Sequence, residues 1–171
     1  MNNQKGFTII EMTVVVSIIV LFAALVVPNY RAGERNLALQ RSAEKMAQDV
    51  RRVVEMSMSA AEFQGEVPAG GYGVFFDKNN EDQYIIFTDN NGNSHYDPGS
   101  DGLVEKIDIE KEVEISQLSS SPSLYICFLP PDPEVIIKPN SDFAQITLSL
   151  KNDPTKTKTV TINKAGLIYT D

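Results

Sequence analysis

A chain of 171 residues has room for one modest domain beside an anchor, and no second large domain fits. Its formal net charge of −8, from 15 Lys and Arg against 23 Asp and Glu, lacks the basic footprint that binds phosphate backbones, so nucleic acid is not an expected partner. An apolar share of 42% suits a globular rather than a disordered chain, and the single cysteine, Cys127, excludes an intramolecular disulfide.

From Phe7 to Val27 the sequence FTIIEMTVVVSIIVLFAALVV carries one charge, Glu11, and Pro28 follows. As a helix it would be about 31 Å long at about 1.5 Å per residue, near the roughly 30 Å hydrocarbon thickness of a bilayer. A removable signal peptide has an apolar run of about 7 to 15 residues and a small-x-small cleavage site. This run is longer and ends in Val26-Val27-Pro28-Asn29, so a retained membrane-spanning segment is expected. Glu11 is its peculiarity, because an acid near the centre of a spanning helix costs about 2.5 to 3.5 kcal/mol on insertion scales. Lying near the segment's end, it either reaches the headgroups or meets a partner. Lys5 precedes the span while Arg31 and Arg35 follow it, so the positive-inside count alone would put the N-terminus outside.

Beyond Pro28, which should bend or interrupt a helix, Leu39, Ala43, Met46, Val50, Val53 and Ser57 recur at spacings of four and three. Ala47, Val54, Met58 and Ala61 flank this stripe. Arg41, Glu44, Lys45, Gln48, Asp49, Arg52 and Glu55 fill the opposite face, which is expected to be solvated.

After Gly65 the pattern changes to short β-prone runs separated by turn formers: 73–76, 83–88, 104–109, 113–118, 124–129, 135–138, 145–150, 159–163 and 167–170. Gln145, Thr147 and Ser149 alternate with Ile146, Leu148 and Leu150, the period of a half-buried strand. Cys127, inside an apolar run, reads as a buried strand position. The expected class is α+β, a long N-terminal helix packed on antiparallel β-sheets.

Asp89, Asn91 and Asn93 stand at alternate positions with Asp97 and Asp101 beyond, a set of oxygen ligands for which calcium is the candidate cation. The calcium-loop template is incomplete, since its glycine position holds Ser94 and its twelfth position is Ser100 rather than glutamate. Asn90-Asn91-Gly92-Asn93 also reads as a hairpin turn, because asparagine and glycine tolerate positive φ. His95, the only histidine, reads as a surface residue, and neither a zinc cluster nor a phosphate-cradling or nucleophile-elbow motif is present. No enzyme is expected.

The string KGFTIIE, from Lys5 to Glu11, ahead of an apolar helix resembles the processing signature of type IV prepilins and type II secretion pseudopilins. The resemblance implies that a prepilin peptidase cuts after Gly6 on the cytoplasmic side and that Phe7 becomes the N-methylated first residue. It also implies that Glu11 meets the N-terminal amine of a neighbouring subunit, which would offset the desolvation of the carboxylate in the filament core. More loosely, one long helix on antiparallel sheets, the GYGVFF run, the YIIFTDNNGNSHYD stretch and the closing strands around Lys164-Ala165-Gly166 resemble the GspH/FimT-like minor pseudopilins.

The implied organisation is a leader at 1–6, a membrane and filament-core helix at 7–28, an amphipathic stalk at 29–64 and a β-rich domain at 65–171. The chain would sit once across the inner (cytoplasmic) membrane with that domain on the extracytoplasmic side. Its partners would be the peptidase and other pilin or pseudopilin subunits. Two alternatives stand beside this filament subunit. One is a DNA-binding minor pilin of an uptake system using Lys151, Lys156, Lys158 and Lys164, and the other is a simple membrane-anchored binding domain.

Overall fold

The computed structural model describes residues 6–130 and 134–171, apart from the side chains of residues 27–29. Lys5 and the rest of the leader before Gly6 lie outside the described residues, as does the side chain of Pro28, on which the expected bend rests. Helix α1, Ile9–Met58, continues across position 28, so the proline does not end it. The helix stops because Ala60 turns left-handed at φ 44, where its N–H donates to Ser57 O at 3.0 Å and that of Ala61 donates to Met56 O at 3.0 Å. These two bonds satisfy carbonyls that the helix end would otherwise leave open.

The chain forms two compact units, one ending at Asn36 and the other Leu37–Asp171. In the first, every described side chain of α1 from Ile9 to Val26 is exposed.

The second unit contains the remainder of α1 and nine strands. A five-stranded sheet has the order β3-β2-β1-β5-β6, formed by β1 (Tyr72–Asp77), β2 (Gln83–Thr88), β3 (Gly102–Asp108), β5 (Ser123–Leu129) and β6 (Glu134–Lys138). A four-stranded sheet has the order β4-β7-β8-β9, formed by β4 (Val113–Leu118), β7 (Phe143–Leu150), β8 (Asp153–Asn163) and β9 (Ile168–Thr170). All pairings are antiparallel. Each expected β run falls on one of these strands. The largest departure is β8, which begins at Asp153 because Thr157 and Lys158 pair with Ser149 and Leu148 despite their polarity.

Alternation places one face of each sheet in a shared core with α1. Val74, Phe76, Ile86, Leu124 and Ile126 come from the first sheet, and Ile115, Ile146, Leu148, Val160 and Ile162 from the second. The helix adds Leu39, Ala43, Met46, Val50 and Val53 of the expected stripe together with Ala47 from its flank, while Met58, also on the flank, is 54% exposed. Ser57, the last stripe position, is buried and its hydroxyl donates to Phe128 O on β5.

The polar face of this part of α1 is not simply solvated, which corrects the expectation. Tyr84 Oη donates to Asp49 Oδ2 at 2.6 Å, and Arg52 Nη2 reaches Glu105 Oε2 at 2.5 Å. Arg41 grips Glu110 with two bonds of 2.9 Å, and Arg51 Nη2 donates to Ile168 O at 3.1 Å. Charged side chains at the margins of an apolar stripe thus tie the helix to β2, β3, the chain after β3, and β9.

The other face of the first sheet has its own small cluster. Phe87 and Cys127 are buried there, opposite Gly73 in neighbouring strands. A Cβ on Gly73 would lie 2.6 Å from Phe87 Cζ and 2.9 Å from Cys127 Sγ, so only glycine lets the ring and the thiol close over β1. Cys127 is a packed thiol, as expected, and burial raises its pKa, with Asp89 and Asp101 adding to the effect.

Candidate functional site

Gly6, Phe7 and Thr8 precede the helix, so the bond between Gly6 and Phe7 lies in exposed, non-helical chain. The side chain of Phe7 is 84% exposed. Thr8 is the N-cap. Its N–H and its hydroxyl both donate to Glu11 Oε2 at 2.9 Å, and the N–H of Glu11 donates back to Thr8 Oγ1 at 3.3 Å. Met12 N–H then donates to Thr8 O at 3.2 Å, the first bond of the helical ladder. Threonine followed three residues later by glutamate is a capping box, which satisfies donors that a helix start leaves open.

The structure therefore brings Thr8 and Glu11 together next to the expected cleavage bond. Glu11 stands out in the sequence by its charge, whereas the only sign of Thr8 there is the Thr-x-x-Glu spacing of a capping box. Helix α1 is long and apolar enough to cross a membrane, and its most apolar 18-residue window is entirely unburied.

The polar loop between β2 and β3 gathers its acidic and amide groups, but it uses them on itself. Asp89 is fully buried, and its Oδ1 accepts from the N–H of Gly92 at 2.7 Å and of Asn93 at 3.2 Å. Its Oδ2 accepts from Ser94 N–H at 2.8 Å. Asn91 and Asn93 turn their amide nitrogens to Asp97 Oδ2, at 3.2 and 2.6 Å. These two bonds, the Asn93 one first, hold the carboxyl of Asp97 below the usual carboxylate range.

Asp101 accepts from Asn90 N–H at 3.0 Å and from Asp97 N–H at 2.8 Å. Gly92, at φ 72, and Ser94, at φ 61, supply the left-handed turns. Ser94 thus adopts the conformation for which the template prefers glycine. Among the described residues, no group of three or more His, Cys, Asp or Glu could hold a metal ion.

Aromatic rings fasten this loop to the outer face of the first sheet. His95 lies 4.8 Å from Tyr125, Tyr125 stacks 4.8 Å from Phe75, and Tyr96 sits 5.7 Å from Phe75 and 5.3 Å from Phe87. His95 is exposed, as expected, but it also packs on the sheet. The loop is therefore a cover over the Phe87 and Cys127 cluster.

The four lysines of the nucleic-acid alternative are divided. Lys151 pairs with Asp82 at 2.6 Å and Lys164 with Asp142 at 3.0 Å, so carboxylates of the same chain offset two of the four charges.

Residues 1–27 match the family described as the prokaryotic N-terminal methylation motif. The fold is similar to the crystal structure of the Pseudomonas aeruginosa type IV minor pilin FimU, with a TM-score of 0.52 and 14% identity over 81% of this chain and 90% of that one. No curated protein matches the chain significantly. Motif and fold come from independent comparisons, one of the first 27 residues and the other of most of the chain.

Proposed function

Because the chain is type IV pilin-like in both its N-terminal motif and its fold, we propose that it is a minor structural subunit of a type IV pilus or type II secretion pseudopilus filament. A prepilin peptidase would cut between Gly6 and Phe7 on the cytoplasmic side, and the new amine of Phe7 would be methylated. The exposed apolar stretch of α1 first anchors the subunit in the inner membrane and then packs against other pilin or pseudopilin subunits. Glu11 meets a neighbour's amine, and the β-rich body stays on the extracytoplasmic side. The fold is that of structural pilins, and the reading assigns no enzymatic step to this chain.

The observation that carries this reading is the contrast between a β-rich body with its own apolar core and the stretch of α1 within the methylation motif, whose side chains from Ile9 to Val26 are all exposed. A bilayer or neighbouring helices are the surroundings in which such a surface is stable. The test is intact mass and N-terminal sequencing of the protein from cells with and without an active prepilin peptidase. A mature chain beginning with methylated Phe7 only when the peptidase is present is the expected result. An uncut chain in both would leave a plain membrane anchor.

A further inference from the structure

Asn91-Gly92 is the one Asn-Gly pair in the chain, and it lies in the loop that covers Phe87 and Cys127. Glycine leaves the main-chain nitrogen after asparagine unshielded, and a Cβ on Gly92 would meet nothing within 4 Å. Asn91 itself is exposed to water. Such a pair carries its own reaction, in which the nitrogen of Gly92 attacks Asn91 Cγ and the bond from Cγ to Nδ2 breaks. The proton of Gly92 and the amide group leave together as ammonia, and a succinimide ring remains. Water then opens that ring to aspartate or, with the main chain rerouted through the side-chain carbonyl, to isoaspartate.

The closed loop opposes each step. Gly92 N–H donates to the buried carboxylate of Asp89 at 2.7 Å, and a negative charge so close disfavours the anionic nitrogen that must attack. The amide of Asn91 is pinned at both ends, with Oδ1 accepting from Asn93 N–H at 3.0 Å and Nδ2 donating to Asp97 Oδ2 at 3.2 Å. Ring closure needs Cγ aligned on the Gly92 nitrogen, so both bonds must first be given up. We propose that Asn91 is a latent deamidation site, shut while the loop is closed and reactive once it opens. Reclosing does not reverse the reaction. Isoaspartate adds a main-chain methylene, and either product puts a carboxylate where an amide donated to Asp97, so two like charges hold the loop open. Phe87 and Cys127 then lose their cover.

The test incubates the purified full chain in detergent at mildly alkaline pH, reading deamidation of the Asn91 peptide by mass spectrometry and access to Cys127 by thiol labelling. The folded wild type should deamidate at least about tenfold more slowly than the same chain in denaturant, the slowing expected if the loop is open less than about one-tenth of the time. Asp97→Ala frees Asn91 Nδ2 and should speed the folded reaction about twofold to tenfold, the scale of a lost hydrogen bond. Met46→Ala loosens the core and leaves the loop alone, so its rate should match the wild type. Asn91→Asp carries the product's carboxylate, and its Cys127 should label about twofold to tenfold faster than that of the wild type.

An Asn91 that stays intact in denaturant would overturn the site itself. Equal rates in the folded and denatured chain, or an unchanged rate in Asp97→Ala, would overturn its restraint by the loop. So would a Met46→Ala chain as fast as Asp97→Ala, because the opening would then be unfolding of the whole body. Wild-type labelling of Cys127 in Asn91→Asp would show that the loop recloses over its product and would overturn the lasting effect.

Discussion

Between Ile9 and Val26 every side chain of α1 is exposed, whereas from Leu37 onward Leu39, Ala43, Met46, Val50 and Val53 of the same helix are buried. The exposed stretch is the more apolar of the two, so hydrophobicity alone does not say where a core lies. Periodicity does. An apolar stripe with charges opposite it commits one face of a helix to its own chain, while an all-round apolar helix has no polar face to give to water and needs a bilayer or other helices. The body covers its apolar stripe with its own sheets, although the hydroxyls of Ser42, Ser149 and Thr161 are buried there without a hydrogen-bond partner, whereas the first stretch leaves its apolar surface to something else.

The sharpest way to break that comparison is to remove equal chemistry from each side. Met46→Ala empties a fully buried site and should lower the unfolding free energy of the body by about 2 to 5 kcal/mol in denaturant melts of the full chain in detergent. Ile19→Ala, in the exposed stretch, should leave the same melt within about 0.5 kcal/mol. Equal losses would mean that the first stretch shares the cooperative unit of the body.

A smaller effect sharpens how the body holds its part of α1. Tyr84 Oη is the donor to Asp49, and Tyr84→Phe leaves that half-buried carboxylate without it, at a cost of about 1 to 3 kcal/mol. Burial first, and then the hydrogen bond to Asp49, push the phenol of Tyr84 far above its ordinary pKa of 10.0. The unfolded chain therefore ionises at Tyr84 while the folded chain keeps its proton. This contribution to stability is whole below pH 10 and is lost as pH rises beyond it. Melts from pH 8 to 11 should show the wild type losing its advantage over Tyr84→Phe only above about pH 10.

These residues also mark what was legible in the sequence. Periodicity of four and three located the buried side of α1, and alternation located the strands, because both follow from local geometry. Asp49 and Arg52 were read as solvated since their partners, Tyr84 and Glu105, lie far along the chain and no local pattern joins them. The polar start of β8 was missed for a related reason. Its lysines and threonines gain strand structure from pairing with β7 rather than from their own burial. At the N-terminus, Gly6, Phe7 and Glu11 stood out through the motif, and the capping partner of Glu11 was written in the Thr-x-x-Glu spacing. In the loop the residue types were visible, but their use was not, because whether an aspartate faces a cation or a backbone amide depends on the path of the turn.

The smallest expected effect tests whether the body is as self-sufficient as the comparison claims. Calcium takes about six to eight oxygen ligands. In the loop between β2 and β3, both oxygens of Asp89 already accept backbone N–H groups, and the side-chain oxygens of Asn91 and Asn93 accept from Asn93 and His95 N–H at 3.0 and 2.8 Å. Asp97 Oδ2 receives two amide donors, which would have to turn away for a cation to enter. Calorimetry of the full chain in detergent should therefore show no heat of calcium binding, and the melting temperature should stay unchanged. Binding heat with a rise in melting temperature, both lost in Asp97→Ala, would show that the loop gives up its internal bonds for a cation. The body, like the first stretch of α1, would then be completed from outside the chain.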